Sequence, residues 1–220
     1  MASRARATRN DPGAILRPRP DPDFRQERSR RSYQALIDAA TTLFSTHGYD
    51  AVGTPEIAHE AGVSVGTFYR YFDDKHEVYL EVARRTLEAA YNATIEGLTP
   101  ARFVGLARHE TIAETVAVLF EHVLDRPQLS RSFMEMSLRD AEVAELRRAF
   151  EQASCQKLSA LISAICPRDV VPDPEATAYV IYGCALECSY GIAGYHGEPS
   201  IDADRAKKAL VSVIDRALFP

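Results

Sequence analysis

Residues 54–72 read TPEIAHEAGVSVGTFYRYF, and this stretch decides the fold. It contains two short segments of helical apolar periodicity separated by Gly62 and Val63, which predicts two helices joined by a tight turn. Thr54, followed by a proline, is predicted to cap the first helix, and Ser64 to cap the second. Two short helices around a glycine-containing turn are the pattern of a helix-turn-helix.

The two predicted helices have an inner and an outer side. The apolar residues expected inside the unit are Ile57, Ala61, Val63, Phe68 and Phe72. Ala58 is small enough to let the helices cross closely, and Gly66 is predicted to allow a close backbone approach to a neighbour. The outer side carries Val65, Thr67, Tyr69, Arg70 and Tyr71. Hydrogen-bond donors, aromatic rings and a cation near the start of a helix suit a recognition helix in the major groove of DNA.

Helical periodicity continues on both sides of this stretch. A first helix is predicted from about Ser29 to Gly48, and Asp74 with Glu77 forms a capping-box signature that opens a long helix to about Gly97. Further helices are predicted over about 99–124, 128–138, 140–166, 174–194 and 203–218. No alternating strand pattern occurs. The sequence therefore predicts an all-α fold of about nine helices.

Residues 37–79 read IDAATTLFSTHGYDAVGTPEIAHEAGVSVGTFYRYFDDKHEVY and resemble the signature first domain of the tetracycline-repressor (TetR) family. The shared features are the AA–LF–GY helix, the IA–AGVS turn, the GTFYRYF recognition helix and a lysine opening the next helix. The resemblance covers roughly residues 30–80. It implies a helix-turn-helix DNA-binding domain at 25–78 and a larger helical domain for ligand binding and dimerisation at 79–220.

The resemblance also implies two groups of DNA contacts. Phosphate contacts are implied for Thr54, Ser64, Tyr69, Tyr71 and Lys75, and contacts to base edges for Val65, Gly66, Thr67 and Arg70. A lysine at a helix start attracts phosphate together with the unpaired N–H groups there. An arginine on the outer side can pair with the O6 and N7 atoms of guanine. Partial core packing of the two tyrosines, and a merely solvated Arg70, remain alternatives.

Charge is distributed unevenly along the chain. The net charge is −5, but residues 1–31 contain nine Arg and four acidic residues, so they carry +5 and the remaining 189 residues carry −10. Residues 1–24 are too poor in apolar side chains to fold alone and are predicted to form a disordered basic arm. The arginines expected to extend the DNA contact are Arg25, Arg28, Arg30 and Arg31. A tail that is only solvated is the alternative.

The C-terminal part is predicted to bind a small hydrophobic effector and a second copy of the chain. Candidate pocket residues are Tyr91, Phe120, Met134, Phe150, Tyr182 and Glu187. The alternative is that each is plain core, which is the commoner role of such residues, and that the glutamate points to solvent or across an interface. The helix at 174–194 is apolar nearly all round, which predicts burial on several sides. With the helix at 203–218 it resembles the family's dimer-forming pair, which implies a homodimeric repressor released from a palindromic operator.

Other functional classes have weaker support. Residues 62–66 match G-x-S-x-G, which allows a serine hydrolase with Ser64 as nucleophile, but that elbow needs a preceding strand. A helical ligand-binding protein without DNA binding is a second alternative. Cys184 and Cys188 are predicted to be small buried hydrophobic residues, with a redox or metal role as the alternative. No metal-ligand spacing, signal peptide or spanning segment occurs, so we expect no metal, no cofactor and a cytoplasmic location.

Overall fold

The computed structural model describes residues 27–105 and 107–220, and within them the regular structure is helical with no strand. The α-helices are α1 (Glu27–His47), α2 (Thr54–Glu60), α3 (Val65–Tyr71), α4 (Lys75–Tyr91), α5 (Ala107–Asp125), α6 (Pro127–Arg139), α7 (Ala141–Ile165), α8 (Pro174–Ile192) and α9 (Ala203–Leu218). A π-helical turn, Asn92–Glu96, follows α4, and a 3₁₀ turn, Pro100–Phe103, precedes α5. The predicted all-α class is confirmed.

Side-chain caps begin several of these helices, and the cap at Ser64 is the one predicted above. The Ser64 hydroxyl accepts a hydrogen bond from the Thr67 N–H at the start of α3. Asp140 accepts from the N–H of Val143 at 2.9 Å and opens α7, and Asp173 does the same for α8. An accepting side chain satisfies one of the N–H groups that a helix start leaves unpaired. These helix starts are therefore fixed by local sequence.

Two local predictions are wrong. Gly53, not Thr54, is the N-cap of α2, and the Glu56 carboxylate accepts the Gly53 N–H at 2.6 Å. The helix predicted over 99–124 is broken after the 3₁₀ turn, where Gly105 adopts a φ of +63°. That left-handed conformation is accessible to glycine at little cost and cannot continue a right-handed helix.

The chain divides into two compact units. Unit 1 comprises the described residues up to Glu88 together with Arg126–Ala149, and unit 2 comprises Ala89–Asp125 and Phe150–Pro220. Helix α6 belongs to unit 1 because its apolar residues, including Leu129 and Met136, join the same core as α1. The predicted domain boundary at residue 78 stays a prediction, and the predicted arm at 1–24 lies outside the described residues.

The core of unit 1 is rich in aromatic rings. Tyr33, Phe44, Phe68, Phe72 and Tyr79 are all buried in one cluster. Tyr33 stacks on Phe72 with ring centroids 5.3 Å apart, and Phe44 meets Tyr79 edge-on at 5.2 Å. Both are preferred geometries for aromatic pairs. The rings therefore tie α1, the end of α3 and α4 together.

The core of unit 2 is mostly aliphatic, and α8 is exposed more than predicted. Its main cluster joins α5, α7, α8 and α9 around Phe120, which is fully buried. Along α8, Tyr179 and Val180 are 60% and 58% exposed, and Cys184 and Cys188 are exposed. The predictions of burial on several sides and of two buried cysteines are therefore wrong within this chain. No described helix carries an apolar stretch long enough to cross a bilayer.

Candidate functional site

The turn between α2 and α3 fixes how the two helices cross. Gly62 has a φ of +66°, which side-chain-bearing residues rarely adopt, so the tight turn depends on glycine. The Val63 N–H then donates to the Ala58 carbonyl at 2.9 Å. Ala58 and Ile57 are completely buried. The predicted helix-turn-helix geometry is present.

The inner side of α3 is anchored against the core of unit 1. Phe68 is fully buried and Phe72 nearly so, as predicted. Tyr71 is half-buried, its ring meets Tyr33 edge-on at 5.7 Å, and its hydroxyl donates to the Ser29 carbonyl at 3.1 Å. That tyrosine therefore supports the alternative of partial core packing. These contacts hold α3 in a fixed orientation against α1.

The outer side of α3 is exposed to solvent. Val65 is 40% exposed and Tyr69 is 53% exposed, Gly66 and Arg70 are also exposed, and Thr67 is half-buried. A Cβ atom at Gly66 would meet only the Ser64 hydroxyl oxygen, at 3.8 Å. No neighbour within the described chain therefore accounts for this glycine, and the close backbone approach stays a prediction. Its open side belongs to the exposed surface.

Polar side chains at the edges of this surface are linked to one another and to the core. The Thr54 hydroxyl lies 3.1 Å from the Tyr69 hydroxyl, which joins the start of α2 to α3. The Lys75 ammonium donates to the Tyr49 carbonyl at 2.9 Å and lies 4.3 Å from the centroid of the Tyr49 ring. Burial raises the pKa of Tyr49, with nearby Asp74 adding to it, so that ring stays neutral. Lys75 is thus held at the start of α4 and is only half-exposed.

The predicted arm arginines fall partly within the described residues. Arg25 lies outside them. Arg28 is exposed on the first turn of α1, while Arg30 and Arg31 pair with the Glu27 carboxylate at 2.9 and 3.5 Å. The hydrogen bond from Arg30 lowers the pKa of Glu27. Glu27 therefore offsets part of the positive charge at this helix start.

The G-x-S-x-G match has a structural explanation. Helix α2 precedes it where a nucleophile elbow needs a strand. The Ser64 hydroxyl accepts from the Thr67 N–H at 3.2 Å and lies 2.9 Å from the Thr67 hydroxyl. Its chemistry is that of a helix cap. Within the residues that the structure describes, no group of three or more His, Cys, Asp or Glu is placed to hold a metal ion.

Unit 2 contains an apolar cavity of about 80 Å³. Its wall is formed by the π-helical turn together with α5, α7, α8 and α9, and includes Leu119, Phe150, Ser154, Leu158, Tyr182 and Leu186. The Phe150 and Tyr182 rings lie 6.3 Å apart at an angle of 54°. These two rings are the predicted pocket residues that line the cavity.

The other predicted pocket residues lie elsewhere. Tyr91 packs against a small cluster of unit 2, Phe120 is in its main core, and Met134 is in α6 of unit 1. Glu187 is exposed and pairs with His196 at 2.7 Å. Ser154 was not predicted, because residues 151–157 read EQASCQK and a serine among polar residues of a helix gives no signal of a cavity. Size and aromaticity alone do not separate cavity wall from core.

Known proteins share the first domain and the fold. The family described as "Bacterial regulatory proteins, tetR family" matches residues 36–82. The HTH-type transcriptional regulator YuxN of Bacillus subtilis (strain 168), itself uncharacterised, is 26% identical over 178 residues. That alignment covers 77% of this chain and 58% of YuxN, so the chain spans less than two thirds of that relative.

Solved structures match over a larger share of the chain. A TetR-family transcriptional regulator from Streptomyces coelicolor has a TM-score of 0.68 at 19% identity, covering 86% of this chain and 80% of that one. A protein from Saccharomonospora viridis, solved in complex with choline, has a TM-score of 0.68 at 17% identity, covering 86% and 97%. At these identities the likeness concerns the fold. In sequence, residues 36–82 are thus similar to the tetR family of bacterial regulatory proteins, and in fold the chain is similar to solved TetR-family structures.

Proposed function

We propose that the chain is a DNA-binding transcriptional regulator that reads duplex DNA with α3. The observation that carries this proposal is the division of α3 into a buried side, centred on Phe68, and an exposed side with Val65, Tyr69 and Arg70. A short helix fixed on one side and exposed on the other can enter the major groove without disturbing the core. The match of residues 36–82 to the tetR family of bacterial regulatory proteins supports the same function.

The base-reading residues of this proposal are Val65, Gly66, Thr67 and Arg70. Arg70 is exposed, and its guanidinium lies 5.8 Å from the centroid of the Tyr71 ring, which restricts where it can point. A bidentate contact to guanine contributes about 1–3 kcal/mol of discrimination between bases. The open surface at Gly66 leaves room for a base edge next to the helix.

The phosphate contacts of this proposal come from the edge of the helix-turn-helix. Thr54, Ser64 and Tyr69 have hydroxyls at or near the exposed surface, and two of them are already linked to each other. Lys75 and Tyr71 bind carbonyls of their own chain, so we propose that both act mainly by fixing the position of α3 and α4. The exposed Arg28 extends the positive surface, and the arm before it would lengthen the contact.

A homodimer formed through α8 and α9 is the second part of the proposal. These helices border an apolar groove of about 280 Å³ that includes Val180, Cys184, Val213 and Ala217. Val180 and Val213 are 58% and 62% exposed. An exposed apolar groove of this kind favours a partner surface, and a two-fold dimer would present two copies of α3 to a palindromic operator.

The third part of the proposal is regulation by a small hydrophobic ligand in unit 2. The apolar cavity supports it, and the choline complex of the S. viridis protein supports effector binding by this fold. Ligand binding would release a repressor from its operator by favouring a spacing of the two α3 helices that fits DNA less well. Linkage then requires that operator DNA weaken ligand binding by the same factor.

Selection of binding sites from random duplex DNA tests the DNA-binding function. We expect an enriched palindrome whose half-sites lie about 34–36 Å apart. The variant Tyr69→Phe with Arg70→Ala should then lose most of its preference for that palindrome over random DNA. Arg131→Ala is the matched control, because Arg131 is an exposed arginine of unit 1 that pairs with Glu135. Failure to enrich any sequence would instead favour a helical ligand-binding protein without DNA binding.

The dimer is tested separately by molar mass in solution. Val213→Asp places a charge in the groove, and we expect it to convert the dimer to a monomer. Leu138→Asp is the control, because Leu138 is 81% exposed on α6 and far from the groove in sequence. A chain that is monomeric before substitution would contradict this part of the proposal.

A further inference from the structure

The cavity of unit 2 has an unusually uniform lining. Thirteen described residues line it, and none of their side chains carries a formal charge. Most are aliphatic, two are the aromatic rings of Phe150 and Tyr182, and the hydroxyl-bearing residues are Thr94, Thr115, Ser154 and Tyr182. A wall of this composition is favourable for apolar atoms and offers few polar contacts. Those few contacts therefore decide which ligands fit.

The hydroxyls of the cavity wall differ in how they are used. The Thr94 hydroxyl donates to the Ala90 carbonyl at 2.7 Å, and the Thr115 hydroxyl donates to the Thr111 carbonyl at 2.7 Å. Ser154 is completely buried, and its hydroxyl has no hydrogen-bond partner within the described chain. Buried hydroxyls are almost always paired, because leaving one unpaired costs free energy. Ser154 is thus a residue of the cavity wall whose hydroxyl, covered in this conformation, still has a hydrogen bond to make.

We propose that this cavity binds a neutral, mainly apolar small molecule with a single hydrogen-bonding group, which pairs with the Ser154 hydroxyl. The proposal rests on the effector-binding role proposed above and specifies its ligand class. Rotation about the Cα–Cβ bond of Ser154 would bring its hydroxyl to the ligand, where it can donate to a carbonyl or accept from an alcohol. The aliphatic wall supplies most of the affinity.

The lining disfavours charged ligands of either sign. A carboxylate or an ammonium group transferred into this cavity would lose its hydration and meet no opposite charge among the lining residues. A quaternary ammonium can bind to aromatic faces, but an effective cage needs several rings around the cation. Among the described residues, two rings line the cavity, tilted at 54° to each other. The ligand class therefore differs from the choline that the S. viridis protein was solved with.

The size of the cavity limits the apolar body of the ligand. A protein cavity of about 150 Å³ lined by similar side chains accommodates benzene, and the present one measures about 80 Å³. Leu119, Leu158 and Leu186 line it, and leucine side chains can change rotamer to enlarge a cavity. We therefore expect compact ligands, from small alcohols up to a single six-membered ring.

The test compares four probes on the full-length chain without DNA. Benzyl alcohol is neutral and has one hydroxyl, toluene lacks the hydroxyl, benzoate is an anion and choline is a cation. We expect calorimetric titration to give about fivefold tighter binding of benzyl alcohol than of toluene, as one net hydrogen bond allows. Benzoate and choline should bind at least about tenfold more weakly than benzyl alcohol. Equal or tighter binding of either ion, or no binding of the two neutral probes, would overturn the proposal.

Substitution of the serine locates the hydrogen bond. Ser154→Ala should reduce the preference for benzyl alcohol over toluene to about onefold, and Ser154→Cys, with a weakly hydrogen-bonding thiol, should reduce it nearly as far. Ser189→Ala is the matched control, because Ser189 is also completely buried but its hydroxyl already donates to the Leu186 carbonyl at 2.7 Å. An unchanged preference in both Ser154 variants would refute the role of this residue.

These measurements separate the ligand class from the proposed function. Probe binding is measured without DNA, whereas the regulatory function is tested by selection of duplex sites. If duplex DNA sites are enriched but benzoate or choline binds most tightly, the proposed ligand class is wrong and the proposed regulatory function is retained. If the neutral probes bind as expected but no DNA site is enriched, the proposed ligand class is retained and the proposed DNA binding is wrong.

Discussion

The two units of this chain stabilise their cores by different kinds of contact. Unit 1 buries a set of interlocking aromatic rings, whereas the main cluster of unit 2 consists mostly of aliphatic side chains around Phe120. Aromatic pairs have preferred angles and so fix side-chain directions, while aliphatic packing has little directional preference. Unit 1 is thus suited to presenting α3 at a fixed orientation, and unit 2 can contain a cavity.

The largest expected effect tests this contrast by matched deletions of a buried ring. Phe→Ala in a core typically costs about 3–5 kcal/mol, depending on how far the surroundings relax. We expect Phe68→Ala to lower the free energy of unfolding by about 5 kcal/mol and Phe120→Ala by about 3 kcal/mol, since aliphatic neighbours relax more readily. Urea unfolding followed by far-ultraviolet circular dichroism measures both. Equal decreases in the free energy of unfolding for the two variants would contradict the proposed difference between the cores of the two units.

The next effect concerns two completely buried serines of unit 2. Ser154→Ala removes an unpaired hydroxyl and should raise the free energy of unfolding by about 1 kcal/mol. Ser189→Ala removes a hydroxyl that donates to Leu186 and should lower it by about 1 kcal/mol. The opposite signs, read from thermal unfolding, would show that unit 2 contains an unsatisfied polar site. Destabilisation by both substitutions would contradict this.

A smaller effect distinguishes two neighbouring tyrosines of α3. Tyr71→Phe loses the hydrogen bond to the Ser29 carbonyl and should lower the free energy of unfolding by about 0.5–1 kcal/mol. Tyr69→Phe, at an exposed position, should leave stability within about 0.5 kcal/mol but weaken binding to the selected DNA. Urea unfolding and a fluorescence-anisotropy titration separate the two outcomes. The reverse pattern would mean that Tyr71 faces the DNA and Tyr69 the core.

The smallest effect is an acid-dependent contact at the start of α7. Burial opposes ionisation of Asp140, but hydrogen bonds from the Val143 N–H and from His76 outweigh it, so the pKa of Asp140 is lowered. A lowered pKa in the folded state means that the carboxylate stabilises the fold above the unfolded pKa of about 4 and loses this effect below it. Asp140→Asn should therefore lower the free energy of unfolding near neutral pH, and the difference from the unaltered chain should disappear as the pH falls through the lowered pKa of Asp140. A difference in unfolding free energy that does not change with pH would exclude stabilisation by the ionised Asp140 carboxylate.

Much of the architecture is predictable because it depends on neighbours in sequence. Ser64 caps a helix as predicted, and Asp140 and Asp173 cap theirs in the same way, since a cap needs only its own side chain and an N–H group two or three residues away. The buried side of α3 follows equally from the spacing of Phe68 and Phe72. For the same reason the helix-turn-helix of the candidate site was predictable almost in full.

Most differences between prediction and structure lie at residues whose surroundings depend on distant parts of the chain. Tyr91 and Phe120 were reasonable cavity residues by type, but which aromatic side chain reaches a cavity depends on how several helices meet. The exposure of Cys184 and Cys188 has the same origin, because an apolar helix is buried only where a neighbouring surface covers it. The N-cap at Gly53 was missed because the Glu56 carboxylate satisfies that end of α2 from within the helix.

The length of α3 limits how much sequence one copy can distinguish. Seven residues rise by roughly 10 Å, which is about three base-pair steps of duplex DNA. Three fully specified positions separate only about 64 different sites, whereas a genome offers roughly 10⁶ or more competing positions. A single copy of α3 would therefore find a matching sequence at thousands of positions in a genome. Because α3 is so short, recognition of a single site requires a second copy of the helix, together with sequence-dependent DNA shape.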